Sequence, residues 1–141
     1  MNRLIPTEEQ EQILLMDWAR ITKFKFFDKT EPIANYLCHI PNGGSRHVLE
    51  AKKLKRMGVM AGMPDLFLFC SGHKKTASWY GEITKFPRIG LFIEMKRKTN
   101  GTLTANQRTM HAKLENCGYK VALCRGFDEA KQAICEYLCI N

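Results

Sequence analysis

The sequence predicts an α/β fold in which a mixed central sheet is flanked by helices on both faces. Short apolar runs typical of buried strands alternate with longer segments whose apolar residues recur at helical spacing. The predicted order is helix, strand, helix, strand, strand, helix, strand, helix. With 141 residues, 45% of them hydrophobic, the chain is long enough for a buried core, and residues 1–141 are expected to form a single domain.

The first helix is predicted over residues 8–22. Thr7 follows Pro6 as an N-cap, and Gln10, three residues later, completes the pattern of a capping box. The helix carries an apolar stripe made of Leu14, Leu15, Trp18 and Ile21.

A short strand is predicted over 35–40, followed by turn residues at 41–44. A second helix is expected near 47–57, with Gly58 as its C′ residue. One side of this helix is apolar and its other side is basic. Such a basic face is most often solvated, but it could also attract a nucleic-acid backbone. The basic residues are Lys52, Lys53, Lys55 and Arg56.

Strands are also predicted over 65–70, 90–95 and 119–124. Helices are predicted from Thr104 to about Asn116 and over 128–138. The polar, basic segment 71–89 contains Trp79 and Tyr80. It is expected to form a hairpin extension or a loop, in which these aromatic residues contact DNA or pack against the base of the loop.

Charged residues occur on the two middle strands. Asp65 begins one strand, and Glu94 and Lys96 lie at the end of the next. Because side chains alternate along a strand, Glu94 and Lys96 share a face and Met95 points the other way. If the strands pair, two carboxylates and an ammonium converge, which indicates a metal-dependent phosphodiesterase. Each motif alone is more often structural, as a turn or a solvated strand face.

The net charge of +8 favours nucleic acid as the partner. No apolar run approaches the roughly 20 residues that cross a bilayer, so no membrane partner is expected. The first residues lack the apolar segment of a secretion signal, which predicts a cytoplasmic protein. The six cysteines are expected to be reduced, although Cys135 and Cys139, one helical turn apart, allow a disulfide or a shared metal.

Four motifs together resemble the VRR-NUC family of virus-type replication-repair nucleases, in the PD-(D/E)XK superfamily. They are Gly58-Val-Met-Ala-Gly-Met-Pro-Asp-Leu66, Gly90-Leu-Phe-Ile-Glu-Met-Lys96, Leu103-Thr-Ala-Asn-Gln107 and Gly118-Tyr-Lys-Val121. The resemblance runs from about residue 40 to 138, with a weaker echo at Glu11-Gln12 and Trp18. It implies a restriction-endonuclease-like core.

The resemblance assigns Asp65 and Glu94 as ligands of Mg²⁺ or Mn²⁺, with the carbonyl oxygen of Met95 as a further ligand. The family also uses an acid from the first helix in its metal-binding and catalytic site. Glu11 is the first choice for that acid, and Glu8 is the second.

The resemblance further implies that Lys96 positions or polarises the attacking water, and that Gln107 holds Lys96 or the substrate phosphate. The residues expected to contact nucleic acid are Asn42, Arg46, Lys52, Lys53, Arg97 and Lys98.

Stand-alone members of the family are associated with homodimers that cut branched DNA, including four-way junctions. The resemblance therefore implies a structure-specific DNA endonuclease of phage or bacterial replication and repair. The alternatives are a DNA-binding module without catalysis and a restriction-type, sequence-specific endonuclease. The long stretch between Asp65 and Glu94 departs from the usual family pattern and leaves the admitted DNA shape open. The first helix and three phenylalanines are candidates for the dimer surface, with ordinary core the favoured role of the phenylalanines Phe24, Phe26 and Phe27.

Overall fold

The computed structural model of the chain describes residues 4–42, 48–72 and 88–141. Within these ranges it contains four α-helices: α1 (Glu8–Ile21), α2 (Val48–Arg56), α3 (Ala105–Asn116) and α4 (Phe127–Leu138). The same ranges contain six strands: β1 (Lys23–Phe26), β2 (Lys29–Pro32), β3 (Leu37–His39), β4 (Leu66–Leu68), β5 (Leu91–Lys96) and β6 (Lys120–Arg125). Each predicted helix and strand has a counterpart whose ends differ by two residues or fewer.

The central sheet has the strand order β3-β4-β5-β6. β4 pairs antiparallel with both β3 and β5, whereas β5 and β6 run parallel. The sheet is therefore mixed, as predicted, and β5, the strand that carries Glu94 and Lys96, lies inside it.

One face of the sheet packs against α1 and α4. Alternate residues of β4 and β5 point to this side, and Leu15 and Ala19 of α1 and Ile134 of α4 meet them in the core. α1 begins at a complete capping box. The Thr7 hydroxyl accepts a 3.2 Å hydrogen bond from the Gln10 N–H, and the Gln10 side-chain oxygen accepts a 2.9 Å hydrogen bond from the Thr7 N–H. The sheet residues of this core are Leu66, Leu68, Leu91, Ile93 and Met95.

The opposite face carries aromatic side chains and leads to the charged residues. The rings of Phe67 and Phe92 stack with centroids 4.3 Å apart, and Tyr119 meets the Phe92 ring edge-on at 5.1 Å. Two residues further along β5, Glu94 points from this same face toward α3. The sheet thus has helices on both sides.

Residues 23–32 form a β-hairpin that the sequence analysis missed. β1 pairs antiparallel with β2, and Phe27 and Asp28 make the turn. Phe24 is buried, in agreement with the core role favoured for it, but Phe27 is 80% exposed and has a φ of +54°. The core expectation is therefore wrong for Phe27, which lies at the hairpin tip.

The described structure also bears on the cysteines and on membranes. All six cysteines are free, so Cys135 and Cys139 do not form the disulfide considered above. Cys70 and Cys124 are buried in the core and act as small apolar side chains. No helix within the described ranges has both the length and the apolar character needed to span a membrane.

Candidate active site

Asp65 lies where the pairing of β4 with β5 ends. Leu66 pairs with Ile93, and the preceding Pro64 has no N–H with which to continue the ladder. Beyond the last strand pair, the Asp65 side chain still contacts β5, because its Oδ2 accepts a 2.7 Å hydrogen bond from the Met95 N–H. This bond holds the Asp65 carboxylate beside the end of β5.

Glu94, Lys96 and Gln107 form a bonded group on the α3 side of the sheet. The Lys96 Nζ lies 3.1 Å from the Glu94 Oε1, and Gln107 donates to the same oxygen at 2.6 Å. The Gln107 carbonyl oxygen accepts from the Thr104 N–H at 2.9 Å, as part of the capping box that begins α3. Gln107 therefore contacts Glu94 in the structure, whereas the resemblance implies that it holds Lys96 or the substrate phosphate, a role that stays a prediction.

Two glycines allow the close approaches around this group. Gly62 has a φ of +81°, and a Cβ there would lie 2.4 Å from the Asn106 carbonyl oxygen at the start of α3. A Cβ at Gly101 would lie 2.7 Å from the Lys96 Cβ. The loop before Asp65 can thus pack closely against α3, and the turn after β5 can pack closely against Lys96.

Burial governs the charge state of both carboxyl groups. Glu94 is only 2% exposed, and burial, together with the negative charge of Asp65, raises its pKa to about 7 against the opposing effect of Lys96. Burial also raises the pKa of Asp65, which the hydrogen bond from Met95 and the charge of Lys96 partly offset. Two neighbouring carboxyl groups that both have raised pKa values are suited to holding a cation.

The described residues contain no group of three or more His, Cys, Asp or Glu side chains arranged to hold a metal. Asp65 and Glu94 supply two carboxylates, and the Glu94 Oε2 is buried without a hydrogen bond. The N–H and C=O of one strand residue point to the same edge, so the Met95 carbonyl faces the Asp65 side. A cation that takes few protein ligands and keeps several waters, as Mg²⁺ does, fits this donor set.

A cleft of about 790 Å³ opens between the start of α1 and the ends of β3, β4 and β5. Asp65 and Met95 line it together with Glu8, whose Oε1 accepts a 3.1 Å hydrogen bond from the Arg97 N–H. The negative charge of Glu8 also contributes to the raised pKa of Asp65. Glu8, the second choice above, is thus the α1 acid that lies beside the end of β5 and lines the cleft with Asp65.

Glu11, the first choice, is engaged elsewhere. Its Oε2 accepts a 2.7 Å hydrogen bond from the Phe127 N–H at the start of α4, and its Oε1 lies 3.4 Å from the Lys98 Nζ. Glu11 is 3% exposed and, like Glu94, does not line the cleft. In this structure its carboxylate therefore stabilises a helix N-terminus and joins α1 to α4, and the metal-ligand and catalytic roles expected of it stay predictions.

Two of the residues expected to contact DNA are engaged within the protein. Lys98 lies 3.4 Å from both Glu11 and Asp128, so its charge is paired twice. Asn42 donates to the Met63 carbonyl at 3.0 Å and fixes the loop before Asp65. Both side chains thus have partners within the protein, and the DNA contacts expected of Lys98 and Asn42 stay predictions.

The other expected DNA contacts differ in their placement. Lys52 and Lys53 are exposed on α2, and Arg97 is exposed at the cleft. Arg46 lies outside the described residues, as do Trp79 and Tyr80. The histidine His111, which the sequence analysis did not assign, lies with its Nε2 3.6 Å from the Glu94 Oε2.

Comparison with known proteins adds an independent result. The model of the VRR-NUC domain matches residues 7–128, a range that begins well before the motifs at residue 58. A solved structure described as a VRR_NUC domain protein is 28% identical, with a TM-score of 0.75, over 98% of this chain and 93% of that chain. No protein of curated function matches significantly.

Proposed function

Because this chain belongs to the VRR-NUC family, whose domain implies a nuclease-type function, we propose that it is a Mg²⁺- or Mn²⁺-dependent DNA endonuclease that hydrolyses phosphodiester bonds. The observation that carries this proposal is the proximity of Asp65, Glu94 and Lys96 at one end of the sheet, where Lys96 lies 3.1 Å from Glu94 and the charge of Asp65 raises the pKa of Glu94. Of these three residues, Asp65 lines the open cleft. Two mutually repelling carboxylates and an ammonium favour hydrolysis over DNA binding alone, since acids weaken binding to phosphate unless a cation intervenes.

Each residue of the cluster has a distinct role in this proposal. Asp65, Glu94 and the Met95 carbonyl would hold the divalent cation, which supplies an acidified water and offsets negative charge on the phosphate. Lys96 orients the attacking water and donates a hydrogen bond to the developing charge. Gln107 holds Glu94 in place from α3. Cleavage is predicted to leave products that carry a 5′-phosphate.

We propose branched DNA, including four-way junctions, as the substrate. The exposed basic side of α2 and the exposed Arg97 would contact phosphates without reading base sequence. Contacts of this kind select the path of the backbone rather than a sequence, which favours recognition of DNA shape.

We also propose that the enzyme works as a homodimer, since symmetric cuts in both strands of a junction need two sites. α1 supports this proposal, because its outer side presents Leu14 and Ile21, which are 50% and 81% exposed. A closed two-fold contact through this side would bury them.

The proposed setting is the cytoplasm of a bacterium or phage-infected cell, in replication or repair. Six free cysteines are compatible with a reducing compartment.

Cleavage of a panel of labelled branched and linear DNAs, with each divalent ion and with a chelator, tests the function. Metal-dependent cutting of branched substrates supports the proposal. Binding without cutting under every condition would instead indicate a non-catalytic DNA-binding module. Cutting of linear duplex at one fixed sequence would indicate a restriction-type endonuclease.

A further inference from the structure

His111 faces the proposed metal ligand Glu94 from α3. It follows Gln107 by four residues, so both side chains project from the same side of the helix. Gln107 reaches one oxygen of the Glu94 carboxylate at 2.6 Å, and the His111 Nε2 lies 3.6 Å from the other. Two side chains on one face of α3 therefore lie against the two carboxylate oxygens of Glu94.

The two facing atoms are buried and complementary. The His111 Nε2 and the Glu94 Oε2 each make no hydrogen bond in the structure. A buried polar group without a partner is destabilising, so these two atoms are expected to form a hydrogen bond when the site is organised. A separation of 3.6 Å leaves no room for a bridging water, and a shift of a few tenths of an ångström makes a direct bond.

Packing alone does not account for His111. The buried apolar residue of α3 is Met110, whereas the His111 side chain remains 12% exposed and directs a ring nitrogen at the carboxylate. A neutral imidazole with its proton on Nε2 is a hydrogen-bond donor to that oxygen. The Oε2 has two lone pairs, so this bond still leaves one acceptor position for a cation.

We infer that His111 is a positioning residue that donates a hydrogen bond to the Glu94 Oε2 and, with Gln107, fixes this carboxylate for cation binding. The inference rests on the proposed metal-dependent function and adds a residue to it. Hydrogen bonds to ligating groups orient the ligand, and their loss typically weakens metal binding by about 10- to 100-fold.

Calorimetric titration of the DNA-free protein with Mn²⁺ tests this role. His111→Ala is expected to bind Mn²⁺ about 10- to 100-fold more weakly than wild type. His111→Gln, whose amide N–H reaches a similar position, is expected to restore most of the affinity. Lys113→Ala, an exposed change on the same helix, is the matched control and should bind as wild type does.

Thermal unfolding without metal separates positioning from a merely structural role. If His111→Ala lowers the melting temperature but binds Mn²⁺ as wild type does, the inference is wrong. Equal defects in His111→Ala and His111→Gln would also contradict it, because the donor would not matter. Absence of Mn²⁺ binding by wild type would count against the metal site itself, whereas normal binding by both proteins counts only against His111.

Discussion

At the scale of single residues, the main feature is Glu94, a deeply buried carboxyl group whose ionised form is disfavoured by that burial. Its Oε1 accepts a hydrogen bond from Gln107 and forms an ion pair with Lys96. Burial and the negative charge of Asp65 nevertheless raise its pKa to about 7. The folded, metal-free protein therefore resists ionisation of the group that a cation would need. Such strain at a functional site is expected where structure is arranged for a ligand rather than for stability.

Replacing Glu94 by glutamine should stabilise the metal-free protein at alkaline pH. The folded-state pKa of about 7 exceeds the ordinary value of 4.5, so the folded state binds more protons between these values. The stability contributed by Glu94 is thus present below about pH 4.5 and is lost as pH rises through about 7, a loss of roughly 3 kcal/mol. Glu94→Gln should unfold at higher urea concentration than wild type at about pH 8 in chelator, and with little difference near pH 5. Lower stability of the variant at both pH values would contradict the pKa argument.

Gln107→Glu separates the two functions of residue 107. Glutamate still caps α3 from this position, but it places a negative charge where an N–H group now lies 2.6 Å from Glu94. Circular dichroism should show an intact fold, while cleavage falls by about tenfold or more, consistent with loss of a charge-assisted hydrogen bond. Gln107→Ala, which removes the cap as well, is the matched control and should lose stability. Cleavage by Gln107→Glu at the wild-type rate would show that Glu94 needs no donor from α3.

The alternation of side chains along a strand made part of the site predictable from the sequence. The rest of the site depends on tertiary contacts, which local sequence patterns do not determine. Glu94 and Lys96 share a face because of strand geometry, which the sequence displays directly. The choice between Glu8 and Glu11 depended on how α1 meets α4, because adjacent acids on one helix differ only in their tertiary partners. The sequence does show that His111 follows Gln107 by four residues, which places both side chains on one face of α3. This spacing points to a role for His111 only when α3 is known to cover Glu94.

At the scale of elements, the site depends on how closely the loop before β4 approaches α3. Gly62 permits the contact with the Asn106 backbone, and the Asn42 side chain bonds the Met63 carbonyl in the same loop. The loop thereby sets the position of Asp65 relative to Gln107.

Gly62→Ala should therefore be more damaging than Gly58→Ala. Both glycines have positive φ, which costs a non-glycine residue about 1–2 kcal/mol, but only Gly62 also faces backbone atoms within 4 Å. Urea unfolding should show Gly62→Ala to be destabilised by at least about 1 kcal/mol more than Gly58→Ala, because backbone must move. Equal destabilisation of the two variants would mean that the loop does not depend on this contact.

The β1–β2 hairpin shows why one element escaped prediction. Its sequence, Lys-Phe-Lys-Phe, has the alternation of a strand, but Phe27-Asp28 lacks the glycine or asparagine that marks a two-residue turn. Phe27 instead adopts a positive φ, which a bulky residue rarely does. By contrast, the apolar runs of the central strands and the capping boxes of the helices were clear local signals.

At the scale of the whole molecule, the two faces of the sheet have different functions. One face is an apolar core against α1 and α4, and the other leads from stacked aromatic rings to the charged cluster. The outer side of α1, which faces away from that core, is the surface proposed for the dimer.

Light scattering should report twice the mass of one chain at assay concentration. Lysine substitutions at Leu14 and Ile21 should shift the protein to monomer without unfolding it, since both side chains are exposed on one chain. Gln132→Lys, an exposed change on α4, is the charge-matched control. A wild-type monomer, with and without DNA, would contradict the proposed dimer.

The most direct test of the proposed hydrolase is single-turnover cleavage of a labelled four-way junction in Mg²⁺ by wild type and Lys96→Ala. Wild type should cut and leave 5′-phosphates. Lys96→Ala should bind the junction nearly as well but cut it at least about 100-fold more slowly. Cutting by Lys96→Ala at the wild-type rate, or no cutting by wild type with Mg²⁺ or Mn²⁺, would contradict a site built on Asp65, Glu94 and Lys96.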